Sequence, residues 1–156
     1  MLIKNNMPVF AAAVIFFMLG GCDNKSSQNS VAPLKVQSTK CSLDLINGDG
    51  GAVTYADGAV VSFSGWAVDS TTNTVPPLLN IVLTGTNEKF FVFVGAARVD
   101  RPDLVKGFKQ DAFLKAGFTL KADVSKLERD TYSISLQMPT DNSLIECQTK
   151  KTLVLK

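Results

Sequence analysis

Short segments of alternating polar and apolar residues, separated by turn-forming residues, fill most of the chain after its first forty positions. In Cys41-Ser-Leu-Asp-Leu-Ile the alternation puts Cys41, Leu43 and Leu45 on one face of a strand. Asn47-Gly48-Asp49-Gly50-Gly51 then forces a turn. From Ala59 to Val68 the alternation resumes, with Val61, Phe63, Gly65 and Ala67 on one side and Trp66 on the other. Leu78 to Thr84 and Lys89 to Gly95 make two further strands, joined by the hairpin loop Gly85-Thr-Asn-Glu. Arg101-Pro102-Asp103 breaks the pattern. Proline suits a first helical turn, and Leu104, Val105 and Phe108 follow at helical spacing, so a short helix or crossover is expected between Pro102 and Lys115. Gly117 to Asp123, Thr131 to Met138 and Ser143 to Lys156 complete about seven strands. Tyr132, Ile134, Leu136 and Met138 share one face of the second of these, as in a half-buried antiparallel strand. This spacing is that of an all-β sandwich, although alternation alone does not separate an open sandwich from a closed barrel.

The first residues follow another rule. Lys4 precedes an uninterrupted apolar run from Val9 to Leu19, which is too short for a span of roughly 20 residues and has the basic flank of a secretory signal. Leu19-Gly20-Gly21-Cys22 resembles the lipobox of bacterial lipoproteins, in which the thiol of the cysteine takes a diacylglyceryl group. The resemblance implies a signal peptide over 1–21, lipidation at Cys22 and attachment to a membrane, with the domain facing the periplasm. Asp23 sits where aspartate resembles a signal for retention in the inner membrane, which favours that membrane over the outer one. The polar stretch after Cys22 has no apolar periodicity and is expected to be a flexible tether over 22–37, part of Val31 to Val36 being able to pack on the domain. The folded domain is then 38–156, of a size that supports one core rather than two.

The chain has 16 Lys and Arg, 14 Asp and Glu, and no histidine. Only Lys4 among the charges belongs to the signal peptide. The remaining balance is near neutral and argues against nucleic acid, whose binding rests on clustered cations. With Cys22 set aside for lipid, Cys41 and Cys147 remain, and an exported chain sits where such a pair becomes a disulfide.

The run from Gly65 to about Leu127 resembles an immunoglobulin-like β-sandwich module that accompanies bacterial envelope and glycan-related proteins. Gly65-Trp66-Ala67-Val68-Asp69, Arg101-Pro102-Asp103-Leu104 with Phe108, Gly117-Phe118 and Asp123-Val124-Ser125 carry the likeness. It implies an immunoglobulin-like sandwich with one short helix in a crossover, serving as an accessory or binding module.

Candidate chemistry is sparse. Without histidine the commonest general base and metal ligand are missing. The carboxylate pairs Asp100 with Asp103 and Asp123 with Glu128 show no glycosidase spacing. Asp103 is expected to cap the helix that follows it, and Arg98 or Arg101 to pair with Asp69 or Asp100. Asp44, Asn47 and Asp49 are spaced wrongly for an EF-hand loop, so a turn is preferred to a metal site. No catalytic residue, cofactor or metal is expected. The candidate binding residues are Trp66, Phe91 and Arg101. Trp66 would be either a core plug or an exposed platform, and one face of Phe90-Phe91-Val92-Phe93 an exposed apolar patch. The expected function is non-catalytic binding of an envelope protein, with binding of an envelope glycan second and a glycan-active enzyme third.

Overall fold

The computed structural model describes residues 33–156. The signal peptide, Cys22, Asp23 and most of the expected tether lie outside them. Ten strands form two sheets, with one short helix and one 3₁₀ segment. In chain order the elements are β1 (Leu34–Gln37), β2 (Cys41–Ile46), β3 (Val53–Ala56), β4 (Val60–Ala67), β5 (Asn80–Thr84), β6 (Phe90–Phe93) and β7 (Ala97–Val99). Then come α1 (Pro102–Phe108), the 3₁₀ segment Asp111–Ala116, β8 (Gly117–Asp123), β9 (Thr131–Pro139) and β10 (Ser143–Leu155).

One sheet has the order β2-β4-β8-β7. The other runs β10-β9-β5-β6, with β1 and β3 both parallel to β10 along its first and last residues. Without β1 and β3, this is the strand order of an immunoglobulin-like sandwich of the kind whose second sheet has an added fourth strand. Its characteristic corner is present too. Tyr132, at the start of β9, is buried and donates from its hydroxyl to the Glu128 carbonyl at 2.8 Å, which fixes the entry into that strand.

The core lies between the sheets, where Phe63, Phe118, Leu83, Ile134, Leu136 and Met138 are fully buried, as the alternation in β4 and β9 predicts. Cys41 and Cys147 are disulfide-bonded, with Cα atoms 6.5 Å apart. The bond joins β2 of one sheet to β10 of the other. In antibody domains the bridge links the strands equivalent to β4 and β9.

Three differences from the sequence reading have physical causes. Leu45 does not share a face with Leu43, because the register against β4 shifts between them. Asp44 is the extra residue of a β-bulge, and beyond it the faces exchange, so that Leu45 is 41% exposed and Ile46 is buried. The expected tether, 22–37, overlaps β1, whose Leu34–Gln37 pair with Ser143–Glu146. The expected crossover helix is split. α1 ends at Lys109, which takes left-handed backbone (φ 54°), and the chain resumes as the 3₁₀ segment.

Candidate functional site

Part of the module likeness meets in one corner of the β4 sheet, where Gly65, Trp66, Arg101, Asp103, Phe108 and Gly117 come together. Ala67, Phe118 and Val124 are instead buried in the inter-sheet core, and Asp123 lies at the far end of β8, opposite Val60. Gly65 sits opposite the bulge. A Cβ there would lie 2.1 Å from the Ser42 carbonyl oxygen and 3.0 Å from the Leu43 Cα, so only glycine lets β2 fold over it. The bulge turns the Asp44 carboxylate outward, where it accepts from Arg101 Nη1 at 2.9 Å. Arg101 also grips Asp103 with both arms of its guanidinium, Nε to Oδ1 at 2.9 Å and Nη2 to Oδ2 at 2.7 Å. Gly117 makes room for the Arg101 stem, since a Cβ there would come within 2.7 Å of Arg101 Cγ. These hydrogen bonds with Arg101 hold the Asp103 carboxyl below its ordinary range, and the two aspartates hold Arg101 more firmly protonated than a free arginine.

Asp103 therefore does not cap α1 as expected. The cap position is Arg101, with no side-chain cap bond, and the Asp103 oxygens are taken by the guanidinium. The expected pairing of Arg98 or Arg101 with Asp69 or Asp100 is also not what forms. Asp100 pairs with Lys115, while Asp69 accepts from Thr71 N and from Thr72 Oγ1 in its own turn. Arg98 donates to the carbonyls of Pro76, Ala67 and Ala116, and its Nε is buried without a partner. That burial lowers its pKa to about 10, which leaves it charged at neutral pH.

Trp66 is neither the inter-sheet plug nor an open platform. It lies half-buried on the outer face of β4, under α1 and the 3₁₀ segment. Its ring is 5.6 Å from that of Phe108, which in turn is 5.5 Å from Phe113. Phe113, with Val68, Leu104 and Ala116, makes a second, smaller core against which Trp66 and Val75 pack.

The second candidate carboxylate pair is engaged elsewhere. Asp123 accepts from Ser125 N and Glu128 pairs with Lys89. Of the residues weighed for calcium, Asp44 is turned to Arg101, Asn47 accepts from Ser62, and Asp49 accepts from Gly51 N and Thr54 Oγ1. They do not converge.

Phe91 faces inward, half-buried against the core and edge-on to Tyr132 at 6.2 Å. Its neighbours face out. Phe90 is 68% exposed, Val92 44% and Val94 70%, a row of apolar side chains along the edge strand β6 and just past its end. At Gly95 (φ 81°) the chain leaves this sheet and enters the other as β7. On that side Val94 borders a groove of about 770 Å³, with Ser62, Ser64, Thr119 and Lys121 on its floor and Leu45 on its far wall. The sequence signals the row through the parity of Phe90 against Phe91. It gives no sign of the groove, because the bulge at Asp44 is what turns Leu45 outward. Compared with protein-family models, curated proteins and solved structures, the chain matches none of them.

Proposed function

We propose that this chain is an exported lipoprotein, lipid-anchored at Cys22, whose sandwich is a non-catalytic binding module for a protein of the cell envelope. The observation that carries the reading is the row Phe90, Val92 and Val94. Phe90 and Val92 on the edge strand β6, with Val94 just past its end, expose large apolar side chains where an uncommitted surface would favour charge. The groove beyond Val94 extends the same surface and offers hydroxyls to a partner's backbone. Its Ser62, Ser64, Thr119 and Lys121 also suit a glycan, which is the second reading. Asp23 favours the inner membrane.

The test is photocrosslinking in living cells, with the photoreactive residue at Phe90, Val94, Trp66, Phe91 and Arg101 in turn. A discrete protein adduct at Phe90 and Val94, absent at the inward-facing Phe91 and the paired Arg101, supports the reading. Adducts at none of the five would remove protein binding from the lead and turn the work to glycan. Anchoring is checked separately: Cys22→Ser should move the protein from the membrane to the soluble fraction.

A further inference from the structure

The hairpin that joins β5 to β6 determines which backbone groups of β6 are already used. Gly85 N donates to the Lys89 carbonyl at 2.9 Å, so that carbonyl and the backbone groups of Phe91 and Phe93 face β5, while Lys89 N donates to Asn87 Oδ1 in the loop. By the alternation of an antiparallel ladder, the N–H and C=O groups of Phe90 and Val92, and of Val94 beyond them, point away from the sheet. No backbone or side-chain hydrogen bond among the described residues reaches them. The same three residues carry the exposed side chains. Edge strands are commonly protected by charge, proline or a bulge. Phe90–Phe93 has none of these, and the flanking Lys89 is engaged by Glu128 at 3.3 Å.

We propose that β6 pairs antiparallel with β6 of a second copy of the chain, about a two-fold axis through Val92, joining the two β10-β9-β5-β6 sheets into one. In this register Val92 faces the partner's Val92 and Phe90 faces the partner's Val94. A two-fold contact requires a surface complementary to itself, and here both requirements are met. The outward-bonding residues 90, 92 and 94 map onto one another, and every side-chain pair they form is apolar. Charge agrees as well, since Lys89 lies opposite the partner's Gly95 and Glu88 opposite the partner's Ala96. An axis at Phe90 would place Val92 against the partner's Glu88. An axis at Phe91 would also pair outward groups, Phe90 with the partner's Val92, but would set Val94 against the partner's Glu88. The register through Val92 uses all three outward residues in apolar pairs.

Gly95 turns the chain away to β7, which limits the pairing to about five residues per copy. Such a contact buries well under the roughly 1,200–2,000 Å² of a stable interface, so it is weak between free molecules. It becomes populated when both copies are held on one membrane, where tethering raises their effective concentration. That last step rests on the lipid-anchor reading above.

The test uses the full chain in the membranes of cells that express it. Residues facing each other in a hydrogen-bonded antiparallel pair have Cα atoms about 5.5 Å apart, within disulfide reach. Val92→Cys should therefore give a disulfide-linked dimer on a non-reducing gel, with the peptide joined through the two introduced thiols identified by mass. Phe91→Cys, facing inward, should remain monomeric. Val92→Lys and Val92→Glu alone should each abolish co-precipitation of two differently tagged copies, while co-expressing one with the other restores it at least fivefold. Absence of the Val92→Cys dimer in membranes that contain the protein overturns the pairing, as does failure of the charge-swapped pair to recover. An adduct of Val92→Cys to a different protein also overturns it, yet leaves the envelope-protein reading standing. A dimer that persists when Cys22→Ser has no effect on fractionation keeps the pairing and removes the anchor.

Discussion

Gly65→Ala tests the corner on which the arrangement of β2 depends. Contacts under 3.0 Å are essentially never seen for real Cβ atoms, and the added carbon would lie 2.1 Å from the Ser42 carbonyl. To accept it, β2 must retreat by about 0.9 Å, the gap between those two distances. The next nearest atoms are also backbone, Leu43 Cα at 3.0 Å and Asp44 N at 3.1 Å, so no flexible side chain can move aside. β2 is held from both ends, by the Cys41 disulfide and by buried Leu43 and Ile46, and its bulge carries Asp44 to Arg101. Overpacking of rigid sites costs roughly 1–3 kcal/mol, and a backbone clash of this depth belongs at the upper end. We expect a loss of about 3 kcal/mol, near a hundredfold in the folding equilibrium. Urea unfolding followed by the fluorescence of Trp66, the single tryptophan, reads it directly. Two controls bracket the effect. Gly48→Ala has open space but positive φ (80°) and should cost about 1 kcal/mol. Gly107→Ala has open space inside α1 and should gain up to about 1 kcal/mol. A Gly65→Ala loss no larger than that of Gly48→Ala would refute the reasoning, since β2 would then be free to shift.

Tyr132→Phe removes the hydroxyl donor to the Glu128 carbonyl and should destabilise by about 1–2 kcal/mol, measured by the same unfolding titration. Replacing Cys41 and Cys147 by serine frees a loop spanning a sequence separation of 106. It should cost on the order of 3–5 kcal/mol, read as a lower urea midpoint that matches the reduced wild type. Acid should destabilise the domain in a defined window. Hydrogen bonds from Gly51, Arg101, Ser125 and Thr86 hold Asp49, Asp103, Asp123 and Asp130 respectively below the ordinary carboxyl value of 3.8. The folded state thus releases these protons more readily than the unfolded chain. Their contribution is complete above about pH 5 and is lost as pH falls through about 4 and below, which a midpoint-versus-pH series between about 2 and 7 would show. At the other extreme, burial raises the Tyr132 phenol above its ordinary value of 10.0, so the unfolded chain ionises first and stability should decline in more alkaline solution.

Much of the sandwich is legible in period-two alternation because one face of each long strand is buried. β4, β8 and β9 follow the expected pattern. What fails is local. At Asp44 a single inserted residue exchanges the two faces, and nothing in Leu43-Asp44-Leu45 marks it, since the cause, Gly65, lies on another strand. β1, β3 and β7 are too short and too mixed to show a period, and they exist because β10 and β8 offer them an edge. Of the candidate residues, the cysteine pair follows from counting and compartment. Arg101 is in a constellation, but with Asp44, 57 positions away, which spacing cannot reveal. Phe91 stands out in its strand as a sequence, whereas the side chains that reach solvent are its neighbours. Alternation divides Phe90 from Phe91 but does not say which of them the core takes.

The bridge between β2 and β10 also decides how the domain carries mechanical load. Tension applied at Leu34 can peel β1 from β10, but at Cys41 it passes through the sulfurs into Cys147 and bypasses everything between. Only residues 33–40 and 148–156 lie outside that covalent ring, so the described ends can be drawn apart to roughly 60 Å and no further. A load taken up at β6 follows another route, across the ladders of β5, β9 and β10, and reaches the same pair of sulfurs. The bond is therefore a strain-relief clamp between the N-terminal end of β2 and the sheet that carries β10.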